Sequence, residues 1–328
     1  MAGNTQGSMN KVMDIYNAGM DADHQRIQPV SVDIWVDAAA PQELVIAVRD
    51  AFLPVQPTSV VTAHLIEGPI KAPYARPDLC VIVGGGSDEH VRSVAHTYVQ
   101  MGTPVAIVAE SLLDAPLPDL PMSLEHLVGI CVSTDYPTAL SALAHWMVSA
   151  CEKSTALAAN FPFCRRAKVS QLVKASASQN AAVGAMGSKS GHDMASMTSN
   201  QAKLALDIAA AYGRPLTLAR AQELVAVYGA GVGYRGVARA VSSAIPGMGW
   251  AFKAGVGYAG TLATANAIAS HFERQDAGVL PLPRVRALVG SVAKALPVAG
   301  SAIQRGAGII KRVAALPEAS FDGEEDQA

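Results

Sequence analysis

Three groups of residues have the types and spacing that chemistry requires. The first is Gly84-Gly85-Gly86-Ser87, a glycine run between an apolar segment and a helical pattern. Backbone N–H groups at such a junction can converge on a phosphate. Asp88 and Glu89 follow at once; they already complement the helix dipole and would repel an anion. A glycine turn with Ser87 or Asp88 as N-cap is therefore favoured over a nucleotide contact through Gly84, Gly85, Gly86 and Ser87. The second group is His192-Asp193, an acid and base in composition. Adjacent side chains rarely face one another, and no nucleophile or third orienting group accompanies them, so no catalytic residue is assigned. The third is Asn200, Lys203 and Asp207, on adjacent turns of one helix face. They could orient a ligand; an intrahelical Lys203–Asp207 pair beside an interhelical Asn is the commoner arrangement.

Cys80, Cys131, Cys151 and Cys164 have no C-x-x-C spacing, and two lie in apolar strand-like runs, which favours reduced, buried thiols over a metal or redox site. No metal ligand set and no cofactor is expected. The chain has 328 residues, enough for two folded units and tails. Half of them are apolar and only 5% aromatic, a composition weighted toward Ala and Gly that suits close helix–helix packing. The net charge of −2 conceals a polarity. Residues 1–160 carry −10, residues 161–274 carry +8, residues 275–316 carry +5, and the last twelve carry −5. Such an asymmetry implies an anionic partner surface or electrostatic docking of one half on the other; two independently solvated surfaces would produce the same count.

The elements that must position these residues are legible as apolar runs. Val32 to Val36 reads as a strand, Pro41 to Phe52 as a helix, Val60 to Ile66 and Leu79 to Val83 as strands. Asp88 to Met101 reads as a helix, Pro104 to Ala109 and Leu127 to Val132 as strands, and Tyr136 to Cys151 as a closing helix. Alternating continuous strands and amphipathic helices predict a mostly parallel three-layer α/β sheet. The order resembles an Era-like small GTPase of the P-loop NTPase type, without its motifs. A phosphate loop requires G-x-x-x-x-G-K-[ST], whereas the first strand here runs into Asp37-Ala38-Ala39-Ala40-Pro41-Gln42. Where the resemblance places the N-K-x-D loop, the chain has Glu110-Ser111-Leu112-Leu113-Asp114, retaining at most Asp114.

From Phe161 the character changes. Arg165, Arg166, Lys168 and Lys174 mark a basic helix, either an anionic-lipid or partner contact or a solvated face. An ordered series follows: Gln179-Asn180-Ala181-Ala182-Val183-Gly184, His192-Asp193-Met194, Thr198-Ser199-Asn200-Gln201 and Ile208-Ala209-Ala210-Ala211-Tyr212-Gly213. Gly229 to Arg235 and Ile245 to Trp250 extend it. Over roughly Phe161 to Glu273 the chain resembles the bacterial helical family called domain of unknown function 697, which often follows a GTPase domain. The resemblance implies a GTPase-linked, membrane-associated helical module and supplies no catalytic residues. Asn180, Asp193, Asn200 and Gln201 are its polar candidates.

Thr198 is expected to cap the helix that ends at Gly213. Ala254 to Ser270, uncharged and rich in small residues, reads as a buried or reversibly embedded hairpin rather than a fixed span. Lys294, Arg305, Lys311 and Arg312 are set among apolar residues, as in an interfacial amphipathic segment or a last packed helix pair. The expected organisation is a polar flexible leader over 1–28 with no secretory signal, an α/β unit over 29–155, and a helical unit over 156–275. An amphipathic extension over 276–316 and an acidic disordered tail over 317–328 complete it. These features predict a non-enzymatic interaction or regulatory protein at the cytoplasmic face of the membrane, binding membrane or a protein partner, with room for a homo-oligomer. The enzymatic alternative is a nucleotide-dependent regulator using the Gly84 to Ser87 loop. Nucleic acid is not expected, since no aromatic interleaving or reading motif accompanies the basic half.

Overall fold

The computed structural model describes residues 16–68, 70–86, 88–186, 192–215 and 249–276; the side chains of 88, 180–186, 192–199 and 249–260 lie outside that description. Five strands form one sheet in the order β2-β1-β3-β4-β5, all parallel. They are β1 (Val30–Asp37), β2 (Ser59–Ile66), β3 (Leu79–Val83), β4 (Val105–Ala109) and β5 (Val128–Val132). The continuous apolar runs of β3 and β4 are buried at every position, as interior strands of a parallel sheet covered on both faces require.

Alternation along the strands divides the core. Val30, Val32, Ile34, Leu79, Val81, Val83, Ala106 and Val108 pack beneath α2 (Gln42–Ala51) and α4 (Tyr136–Ala150). Cys80, Ile82, Val105, Ile107 and Ala109 face the other way, onto α3 (Asp88–Gln100) through Val91, Val94, Ala95, Tyr98 and Val99. Asp135 caps α4, its side chain accepting the Thr138 N–H at 3.1 Å.

The first described residues form a helix, α1 (16–26), where a flexible leader was expected. Ala22 is buried, and Gln25 Oε1 accepts the Thr155 hydroxyl at 3.2 Å. A short helix absent from the sequence reading, α5 (Ser154–Asn160), is buried at all seven positions. It continues the sheet's core into α6 (Arg165–Met186), so that Phe161, Cys164, Ala167 and Ala211 share one cluster with the strands. The expected boundary at 155/156 therefore falls inside a continuous core.

α6, α7 (His192–Ala211) and α8 (Gly249–Asp276) pack on one another around Val169, Val173, Leu204, Ile208, Ile268 and Phe272. α7 begins six residues before Thr198, so Thr198 sits inside the helix rather than at its cap; Met194, Ala195 and Met197 are good helix formers that extend it toward the N-terminus. Gly213 ends α7 at φ +72°, with its N–H on Ala210 O at 2.8 Å and the Arg214 N–H on Ala209 O at 2.9 Å. The small-residue stretch expected as a hairpin is part of the single helix α8. Its Ala265, Ile268, Ala269 and Phe272 are buried against the other two helices. Among the described residues, no helix is long and apolar enough to cross a membrane.

Candidate functional site

From β1 the chain moves outward through α2 to β2, then returns to the other side of β1 as β3. Open parallel sheets bind ligands where the winding reverses, outside the strands' carboxyl ends. Here that point lies between Asp37, the last residue of β1, and the glycines after β3.

The crevice is filled by the chain itself. Asp37 is buried, and its Oδ2 accepts the Gly85 N–H at 3.2 Å while Oδ1 accepts the Ala39 N–H at 3.2 Å. The Ala40 N–H donates to the Asp37 carbonyl at 3.0 Å, which folds the loop over the sheet end. A Cβ on Gly85 would meet Ala40 N at 2.2 Å, and one on Gly84 would meet the Asp114 carbonyl oxygen at 2.1 Å. The first two glycines therefore serve close backbone approach, and the N–H of Gly85, which a phosphate would require, already holds a carboxylate. Gly86 stands at φ +115° and is exposed; Ser87 lies outside the described residues. Tyr136 donates to Glu110 Oε1 at 2.6 Å beyond β4, where the GTPase resemblance places base recognition.

A second polar cluster was missed by the sequence reading. Tyr98 OH donates to Asp33 Oδ2 at 2.7 Å and accepts from Trp35 Nε1 at 2.8 Å. The Thr62 hydroxyl donates to Asp33 Oδ1, and the His64 ring stacks on Trp35 with centroids 4.5 Å apart. Burial, and then the hydrogen bond to Asp33, raises the Tyr98 phenol above its ordinary range. The available signal was Asp33 and Trp35 at i and i+2, which places both on one face of a strand.

The basic candidates of α6 are largely engaged within the fold. Arg165 is 13% exposed and pairs with Asp276 at 2.6 Å, which also pairs with Arg214. Arg166, though exposed, makes a two-pronged pair with Glu273 at 3.0 Å, and Tyr212 OH donates to the same carboxylate at 3.1 Å. Lys168 is buried, donating to Ser154 Oγ at 2.8 Å and Gln171 Oε1 at 2.9 Å. Only Lys174 of the four stands exposed without one of these ion pairs. Arg165 and Arg166, expected as a lipid or partner contact or as part of a solvated face, thus form an ion-pair clamp between the start of α6 and the end of α8. Gln201 is buried and Asn200 half-buried on α7. Asn180 and Asp193 lie on α6 and α7, their side chains outside the description, and Lys294, Arg305, Lys311 and Arg312 lie outside the described residues.

Lys203 and Asp207 form no ion pair within contact distance among the described residues; Asp207 instead sits half-buried where Lys168 and Lys203 both attract it. Desolvation outweighs that attraction and raises the Asp207 carboxyl from 3.8 to about 6; the same burial lowers Lys168. A raised folded pKa means that the unfolded chain ionises first, so stability is lost as pH climbs from about 4 to 7. The stability of Asp207→Asn relative to the parent should therefore rise by roughly 2–3 kcal/mol across that interval. Urea denaturation of both proteins at pH 4, 5, 6 and 7 measures this difference, and a pH-independent difference would refute it.

Burial pushes the Cys131 and Cys151 thiols up to about 11 and raises Cys80 and Cys164 well above the ordinary thiol range, leaving all four protonated at neutral pH and poor nucleophiles or ligands. Among the described residues no cluster of His, Cys, Asp and Glu could hold a metal ion. The fold defines a parallel α/β sheet protein with packed helices. No family model, curated protein or solved structure matches the chain.

Proposed function

We propose that the chain is a non-enzymatic interaction protein of the cytoplasmic face, in which a degenerate GTPase-like α/β unit serves as a recognition surface. The helical unit, by its resemblance to the GTPase-linked family, contacts a membrane face or a protein partner. One observation carries the reading: at the sheet's winding reversal, where a nucleotide's phosphates would sit, the Asp37 carboxylate accepts the Gly85 N–H. A phosphate entering there would have to displace a buried carboxylate and face its charge. The acidic residues Glu110 and Asp114 after β4 add to that repulsion.

Calorimetric titration of the full chain with GTP, GDP and ATP in the presence of magnesium should give no saturable heat, and none of the three should raise the melting temperature. Saturable binding or turnover of any of them would overturn the proposal in favour of a nucleotide-dependent regulator. Co-sedimentation with vesicles containing anionic phospholipid then separates the two partner classes. Salt-sensitive binding identifies a membrane face, and its absence identifies a protein partner.

A further inference from the structure

Among the described residues, β2 ends the sheet on one side and pairs only with β1. Its eight residues, Ser-Val-Val-Thr-Ala-His-Leu-Ile, include no proline, lysine, arginine or acid. Val60 is 63% and Leu65 51% exposed. Natural edge strands are shortened, charged, broken by proline or covered. β2 carries none of the sequence devices, and most of its side chains are exposed. The opposite edge, β5, is three residues shorter and alternates buried with half-buried positions, with the Trp146 indole of α4 lying over Gly129.

The phase of the free edge follows from one hydrogen bond. Val30 N donates to Thr58 O at 3.1 Å, and Val30 stands opposite Ser59 in the parallel register. Backbone groups alternate sides along a strand, so Val60, Thr62 and His64 direct their N–H and C=O groups to β1. Those of Ser59, Val61, Ala63 and Leu65 point away from the sheet. A second strand can bond only through the latter set.

We infer that β2 is a self-pairing edge, through which two copies of the chain join antiparallel about Ala63 into one continuous sheet. A two-fold axis perpendicular to the sheet preserves its faces, so even-numbered residues oppose even-numbered ones and odd oppose odd. Centred on Ala63, Val61 faces Leu65 of the second copy, Val60 faces Ile66, and Thr62 faces His64. Apolar residues meet at both ends of the contact and the polar pair lies between. The register centred on Thr62 would instead set Val60 against His64 and Ser59 against Leu65. Cross-strand apolar pairs stabilise a ladder and mismatched ones do not, so the sequence of β2 favours its own copy in the Ala63 register.

Sedimentation equilibrium of the full chain should show a reversible dimer. Ala63→Pro removes an N–H that points away from β1, a position where an edge strand accepts proline. The variant should keep the parent's circular dichroism while self-associating roughly tenfold or more weakly, since both central hydrogen bonds are lost. Ala63→Cys supplies an independent reading. The four native cysteines are buried, and directly opposed residues of a hydrogen-bonded pair lie about 5.5 Å apart at Cα, within disulfide range. Mild oxidation should therefore link two copies through the introduced thiols, and this outcome decides the matter if the proline variant fails to fold. A chain that stays monomeric up to its solubility limit, a dimer unaffected by Ala63→Pro, or a dimer that Ala63→Cys does not cross-link would each overturn the inference. Binding of a strand from a different protein by a monomeric chain would overturn it as well, reassigning the edge to that partner.

Discussion

Phe161→Ala should cost about 3–5 kcal/mol of stability and lower a single unfolding transition, rather than splitting it in two. Phe161 is fully buried, its ring 5.3 Å from that of Phe52 at the end of α2. Phe52 in turn lies 5.2 Å from Phe163. The same cluster reaches the sheet through Val30 and Val32 and the helices through Ala167 and Ala211. Truncating the ring leaves a cavity where, among the described residues, both halves of the molecule share a core. Two hydrogen bonds hold the same junction from the side: Val55 N to Asn160 O at 2.9 Å and Asn160 Nδ2 to Thr58 Oγ1 at 3.1 Å. Because total stability is ordinarily 5–15 kcal/mol, the loss is a large fraction of it. Far-UV circular dichroism and the fluorescence of Trp35 and Trp146, read in a background where Trp250 of α8 is replaced by Phe, should report the same shifted midpoint. Separate transitions, with only Trp35 of β1 and Trp146 of α4 affected, would mean that the helices α6 to α8 fold independently of the junction.

The α/β half was legible because its central strands β3 and β4 are buried on both faces and so read as unbroken apolar runs. Leu79–Val83 and its neighbours need no partner information to be recognised. α5 was not legible, since seven Ala-rich residues are too short to display a helical period. The pairing of Arg165 and Arg166 with Asp276 and Glu273 was hidden for another reason. Over a hundred residues separate the partners, so local charge density resembled a lipid-binding stripe. At the crevice the sequence disclosed half of the arrangement. The missing lysine and the acid at Asp37 were visible, while the acceptance of the Gly85 N–H by that acid required knowing that β1 and β3 are neighbours.

That arrangement yields a second large effect. Asp37→Ala removes the buried carboxylate that receives the N–H groups of half-buried Gly85 and of exposed Ala39, which should cost about 1.5–3 kcal/mol. Gly85→Ala drives a Cβ to 2.2 Å from the Ala40 backbone nitrogen, so the 37–40 loop must lift, at roughly 1–3 kcal/mol. Each change disrupts the same contact between loop and glycine turn, and the second has less left to break once the first has been made. The double variant should therefore fall short of the sum by about 0.5–3 kcal/mol, a deficit measurable by urea denaturation of the four proteins of the cycle. The direction of the coupling separates two roles for the glycines. If Gly84 to Gly86 existed to hold a ligand, the two substitutions would add in the ligand-free protein, because nothing but the ligand would join them. If Asp37 is the resident anion of the turn, the coupling is present without any ligand, and calorimetry of Asp37→Asn should still give no saturable heat with nucleotide, since Glu110 and Asp114 remain.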